Sequence, residues 1–489
     1  MSRVISNFDA EIEKQPKKLS SLHKNKILKM ARISGFTTII LLTLCSTATF
    51  QNQPQKHFGD ALEAIFSIGL RAQTLLDDPE LSTSNNFLVS PLSVALLISQ
   101  LMLGADREFA EELYDLLSLP KGNHHESATI QYYGPRKNST FRVPYAKLHA
   151  QMGNLLRILQ GADLSDSFNL NCNNALFIDS DLQLKDTFQH NLQIYKTDVE
   201  KVNFTGDSLG AQKFVNMWAA EQTKGVIKTM LPSPLPPSTA AILANALYFK
   251  ADWETPFSYE RNTIDFFYSS SDKKVRTEYM QENFDNLSYV DSATYGCKAV
   301  RIPYKNDQVA MYIMQPHLNN GEGYDIKKFI QKMTAKVFFE LLSQMKNQRV
   351  TLQIPKLKLA NSLSILEPLQ KYRLYRKVYV ENNTDTKDPI DTLEKRIKAF
   401  KALNTTERIS IDLKQAKKDG VLRVSNILQQ VHLNLDEKGT EAAAVTASII
   451  EYMGGSALLL LNRPFSFVIR HEPTSAVLFW GAVVDPTTS

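Results

Sequence analysis

Residues able to do covalent chemistry occur throughout the 489-residue chain, but none stands in a spacing that would activate it. The G-x-S-x-G of serine hydrolases occurs once, as "GDSLG" (206–210), with no base readable beside it. The H-E-x-x-H of a zinc protease, the C-x-x-C of a redox or metal site and the G-x-x-x-x-G-K of a phosphate cradle are missing. Ser456 in "GGSA" is glycine-flanked, yet no base is readable beside it. Scattered Ser, His and Asp give an enzyme little support, and no motif calls for a metal or a cofactor.

One stretch is unusual in its residue types. "DEKGTEAAAVTASIIEYMGGSALLLLNRPF", residues 436–465, runs from a polar opening through small residues to an apolar segment broken by a glycine pair. Gly439 lacks the Cβ that restricts other residues and permits a backbone pivot. Beyond it Thr440, Ala442, Ala444 and Thr446 form one period-two set, and Glu441, Ala443, Val445 and Ala447 the other. As a strand, the first set is small enough to slide between existing strands. The second faces outward and carries the one charge, Glu441. Alanine content argues for a helix instead, and the β-branched "VTASII" argues back towards a strand. Residue types alone leave the two in balance.

The surrounding elements are mixed. Phe58, Leu62, Ile65, Phe66 and Leu70 recur at helical spacing. In "NNFLVSPLSVALLISQLMLGA", Ser90 is placed to cap the free amides, Pro91 takes the first helical position, and Gly104 is a natural stop. The interior is apolar nearly all round, which predicts a buried helix. "TAAILANALYFKADW" (239–253), "RVTLQIPKLKL" (349–359) and "VHLNL" (431–435) read as strands, and "PFSFVIRHEPTSAVLFWGAVVDP" (464–486) as two strands joined by a polar turn. Helices dominate early and strands late, so the expectation is one α+β domain over 49–489. Residues 120–146 and 376–418 read as polar insertions. In and beside the second, Lys371, Arg373, Arg376, Lys377, Lys395, Arg396, Lys398 and Lys401 offer a sulfated polysaccharide a site, against the commoner reading of a solvated face.

Composition bounds the class. Apolar residues make up 43% and charged residues 22%, as in soluble globular proteins. The formal charge of +5 belongs entirely to residues 1–48, so nothing in the remainder calls for nucleic acid. After a basic preamble (1–29), residues 30–48 place Lys29 and Arg32 before an apolar run and then Ser46, Thr47 and Ala48. That is the order of a secretory signal peptide, cleaved after Ala48. The apolar run falls short of the roughly 20 residues of a membrane span. Sequons at Asn138, Asn203, Asn286, Asn382 and Asn404 agree with an extracellular glycoprotein. Cys45 leaves with the leader, and Cys172 and Cys297 remain as one disulfide or two buried thiols.

"NLDEKGTEAAAVTA" resembles the reactive-loop hinge of the serpins, the serine-protease-inhibitor family. "FLVSPLSVALLISQLMLGA" resembles the family's buried second helix, "NALYFKADWETPF" its central-sheet strand and following turn, and "RPFSFVIRHEPTSAVLFWGAVVDP" its C-terminal signature. The motifs keep the family order over roughly 57–487. The resemblance implies helices packed around a large mixed central sheet with further sheets, and an exposed reactive loop over 437–461. It also implies a secreted, monomeric suicide inhibitor. A target serine protease cuts the loop, becomes acyl-linked, and is trapped as the hinge inserts into the main sheet.

The hinge comprises Glu437, Gly439, Thr440, Glu441, Ala442, Ala443, Ala444, Val445 and Thr446; its inward positions are small, as insertion requires. Two family spacings, seventeen residues counted from Glu437 and eleven back from Pro464, place the cut at Met453–Gly454, with Tyr452–Met453 next. Neither site is basic, which disfavours a trypsin-like target and suits a chymotrypsin-like or elastase-like one. Ser90, Ser93 and Asn245 match the family's sheet-opening cluster. Its usual histidine is replaced by Gln429, which predicts altered stability or pH response more than loss of insertion. The competing reading is a non-inhibitory member acting as carrier, storage protein or chaperone.

Overall fold

Runs rich in β-branched and aromatic residues sort into two large sheets according to the faces each run can bury. The computed structural model describes residues 58–75, 86–119, 128–133, 138–161, 168–318, 325–375, 410–440 and 456–488. The leader, residues 376–409 and residues 441–455 lie outside the described residues.

The central sheet contains β1 (Phe168–Asp179), β2 (Thr197–Val202), β3 (Ala241–Asp252), β4 (Leu357–Ser364), β5 (Asn426–Leu435) and the short β6 (Gly439–Thr440). Their order is β4-β5-β3-β1-β2, with β6 paired to β3. β3 is buried from Ala241 to Phe249, matching its continuous apolar run. Among the described residues the second sheet has nine strands. It runs from Phe87–Val89 through Ala476–Val483, Phe465–His471, Val309–Pro316, Cys297–Pro303, Lys274–Ser292 and Lys346–Pro355 to Ala457–Leu460, with Ser258–Tyr268 on the outer side of Lys274–Ser292. This is the expected α+β architecture.

Helix α1 spans Gly59–Leu75, α2 Pro91–Gly104, α3 Ala146–Gly161 and α4 Ser208–Gln222. Every residue of α2 is buried, and it touches β3, β5 and the strand Ala476–Val483, so it lies between the sheets. Ser90 caps it as expected, its hydroxyl oxygen accepting from Ser93 N at 3.2 Å. α4 covers the other face of the central sheet, packing Val215 and Trp218 against Phe177 and Ala244.

Some boundaries differ from the sequence reading. The run 349–359 is two strands. Pro355 ends the first, and after Lys356 the chain enters the central sheet as β4. The apolar positions change phase at the crossing, from Val350, Leu352 and Ile354 to Leu357 and Leu359, a slip that the reading as one strand overlooked. Ala128–Tyr133 pairs antiparallel with Asn138–Val143, and Phe141 and Val143 are buried, so the first insertion is anchored. Ile411, Leu413 and Ala416 are buried too, so the packed domain resumes before residue 418. Gly104 is the last residue of α2, as expected of a stop, and packing favours glycine there too: a Cβ would sit 2.9 Å from Phe188 Cε2 and 3.0 Å from Leu413 Cδ1.

Candidate functional site: the loop hinge and the sheet-opening cluster

The hinge begins where β5 ends. β5 and β3 run parallel and pair only from Asn426↔Ile242 to Val431↔Leu247. Beyond that point β6 pairs antiparallel with the far end of β3, Gly439 opposite Asp252 and Thr440 opposite Ala251. The loop's first residues thus already follow β3 at the mouth of the β3–β5 seam. Gly439 has φ +149°, and a Cβ on it would lie 2.1 Å from the Ala251 carbonyl oxygen. Close backbone approach, as well as rotational freedom, requires glycine here.

The preceding residues are stapled to the segment after β3. Trp253 N donates to Lys438 O (2.7 Å), Phe257 N to Glu437 O (2.8 Å), and Trp253 Nε1 to Asp436 O (3.0 Å). Glu437 is 2% exposed, and its carboxylate meets Lys356 Nζ at 2.6 Å and accepts from Asn262 Nδ2. Burial alone would raise its pKa, but the bonds from Lys356 and Asn262 outweigh that and hold it below the ordinary value. Lys356 also reaches Glu278 at 2.6 Å.

Deeper in the seam the cluster assembles on the α2 side. Gln429 is fully buried; its Nε2 donates to Ser90 O at 2.8 Å, and its Oε1 accepts from Ser90 N at 3.2 Å. One primary amide thereby binds the backbone at the start of α2 to β5. Gln429 lies opposite Asn245 in the parallel register. Asn245 Nδ2 donates to Asn174 Oδ1 (2.9 Å) and approaches Cys172 Sγ (3.4 Å), while Ser93 Oγ lies 4.0 Å from the same sulfur. Asn245 Oδ1 has no hydrogen-bond partner among the described residues. Burial, tempered by Asn245 and Ser93, pushes the Cys172 thiol up to about 11, so it is neutral.

The structure brings Ser90, Ser93, Asn245 and Gln429 together and adds Asn174 and Cys172, which the sequence reading missed. Their signal was the polar run "NLNCNNALF" inside a strand bounded by apolar residues. Lys356 and Asn262 carried no comparable signal. Cys172 and Cys297 are both buried and free. Of the sequons, Asn203 and Asn286 are exposed, Asn138 opens a strand, and Asn382 and Asn404 lie outside the described residues. Met453, Gly454, Tyr452 and the hinge from Glu441 to Thr446 also lie outside them. In the basic cluster, Arg373 pairs with Glu112 at 2.6 Å and stacks on Phe109, and Lys371 pairs with Glu367 at 2.8 Å. Arg373 is therefore committed to the fold, and the remaining cations from 376 to 401 lie outside the described residues. No helix among the described residues is long and apolar enough to cross a membrane.

A central sheet with a parallel β3–β5 seam, a short strand at the mouth of that seam and a capped helix beneath it define one class of fold. The serpin (serine protease inhibitor) family profile matches residues 72–486, and the chain belongs to that family. It is 25% identical over 416 residues to serine protease inhibitor 28Dc of Drosophila melanogaster, covering 83% of this chain and 76% of that one. It is 26% identical over 407 residues to the plasma serine protease inhibitor of Bos taurus, covering 82% and 86%. Among solved structures, human thyroxine-binding globulin complexed with its hormone superposes with a TM-score of 0.68 at 20% identity, covering 88% of this chain and 100% of that one. That likeness is one of fold.

Proposed function

We propose that the protein is a secreted suicide inhibitor of serine proteases and performs no catalysis of its own. The carrying observation is the antiparallel pairing of Gly439–Thr440 with Ala251–Asp252 beside a parallel β3–β5 seam. Parallel pairing is slightly weaker per residue than antiparallel. A strand entering the seam replaces one parallel contact with two antiparallel ones.

The register favours the residues present. Continued from Thr440↔Ala251, it sets Ala442 opposite Phe249, Ala444 opposite Leu247 and Thr446 opposite Asn245, all on the α2 side. Glu441 falls opposite the exposed Lys250, and Val445 opposite Ala246 on the α4 side. The inward set is small and the one charge meets a cation. At the far side of the loop, Ala457–Leu460 is held parallel to Val350–Gln353, so the loop is tied at both ends until it is cut.

The cut falls at Met453–Gly454, in a chymotrypsin-like or elastase-like target. The leader directs secretion, and Asn203 and Asn286 carry glycans. Incubation with chymotrypsin-like, elastase-like and trypsin-like proteases tests this on denaturing gels. A covalent complex, with a released peptide beginning at Gly454, is the expected result. Loop cleavage without a complex under every protease would replace inhibition by a carrier or storage role.

A further inference from the structure

The outer hairpin of the second sheet exposes an apolar face where an edge strand ordinarily carries polar residues. Ile264, Phe266 and Tyr268 are 63%, 39% and 38% exposed. They alternate along Ser258–Tyr268, whose strand partner among the described residues is Lys274–Ser292. Their cross-strand partners are Glu278, Arg276 and Lys274, so cations and aromatics share one face. Lys274 Nζ lies 4.3 Å from the Phe266 ring centroid. Glu278 is taken by Lys356. Among the described residues Lys274 and Arg276 have no ion-pair partner.

The face is continuous with the base of the reactive loop. Asn262, one strand period before Ile264, donates to both the Glu437 and the Glu278 carboxylates. The base of the loop at Glu437 is therefore bonded directly to this hairpin. A second copy of the chain fits poorly, because a two-fold contact through this face brings two copies of the same Lys274–Arg276 cationic patch into one interface.

We propose that this hairpin face is a secondary docking surface for the protease engaged by the loop, and that it takes an apolar patch bearing carboxylates on that protease's flank. Aromatic and arginine side chains at the centre supply contact energy, and the cations steer approach. The inference rests on the inhibitory reading, and its test separates the two.

Association rates are measured for wild type, Phe266→Ala, Arg276→Glu and the double variant, with Lys213→Glu on the exposed side of α4 as a charge control. The protease is the one that wild type traps fastest from a chymotrypsin-like and elastase-like panel. The double variant is expected to associate about 10-fold more slowly. Arg276→Glu should flatten the salt dependence, and Lys213→Glu should do neither. Rates within about two-fold of wild type at low salt would overturn the proposal. Non-covalent affinity for the same panel with each catalytic serine changed to alanine is read in parallel. If wild type traps no protease, inhibition fails, and this affinity still decides: its loss in the double variant sustains the docking surface, whereas unchanged affinity or no binding at all removes it.

Discussion

Gln429 shows what one side chain settles at the sheet-opening cluster. Its amide matches a peptide unit, donating to Ser90 O and accepting from Ser90 N at once. Replacement by alanine leaves the buried Ser90 N–H without a partner, at about 1–3 kcal/mol. Gln429→Ala should therefore lower the thermal midpoint and speed loop insertion. Glutamine does not titrate, whereas histidine does so near pH 6.5. Insertion in wild type should accordingly show no step near neutral pH, and Gln429→His should introduce one. Identical rates for the two at every pH would remove any special role for the glutamine.

Glu437 carries a pH dependence of its own. Its pKa is lowered below 4.5, so its contribution is present above that value and lost as pH falls through the folded one. For Lys356, burial lowers the pKa but Glu278 and Glu437 outweigh it, raising it above 10.5. That share is present below 10.5 and lost as pH rises through the folded value. The lock on the hinge base thus holds from about 4.5 to 10.5. Glu437→Gln should cost about 1–3 kcal/mol at neutral pH. Its difference from wild type should shrink in melts below the lower limit, and a constant difference down to strongly acid pH would exclude the carboxylate as the lock.

At the scale of elements, β6 is two residues long and owes its place to Gly439. Gly439→Ala forces a Cβ against the Ala251 carbonyl oxygen, where only backbone can yield. The hinge should undock and insert more slowly, so more inhibitor is consumed as substrate per protease trapped. An unchanged stoichiometry on titration would show that docking at β3 contributes nothing to insertion.

The same elements mark what the sequence made legible. The cap at Ser90, the buried α2 and the β3 run were readable because cap chemistry and periodicity are local. The split at Lys356 was not read, although the alternation slips by one residue there, from Val350, Leu352 and Ile354 to Leu357 and Leu359, just after Pro355. Nor was the bracketing of α2 by one segment: Gln415 N bonds Gly104 O at one end, and Gln429 holds Ser90 at the other. Those contacts join residues more than 300 positions apart, and no local pattern encodes them. The hinge reading rests on resemblance, because composition alone left helix and strand equal, and Glu441–Thr446 lie outside the described residues.

For the whole molecule, the decisive feature is a sheet that is incomplete in its native form. β3 and β5 pair over part of their length, and β6 fills only the mouth of the seam. In the register of β6, Ile450 falls opposite Ala241, the first residue of β3. A cut after Met453 therefore frees enough chain to fill the seam, while the intact loop stays tied at Ala457. Net gains of about 0.5–1.5 kcal/mol per hydrogen bond, over roughly ten new bonds, amount to about 5–15 kcal/mol. For a domain of this size that raises the midpoint by about 10 °C or more. Protein cleaved in the loop should thus melt well above intact protein, and a Thr446→Glu variant, which puts a charge opposite the buried Asn245, should lose the gain. Equal midpoints for intact and cleaved wild type would mean that the seam stays shut, and the inhibitory mechanism would fall with it.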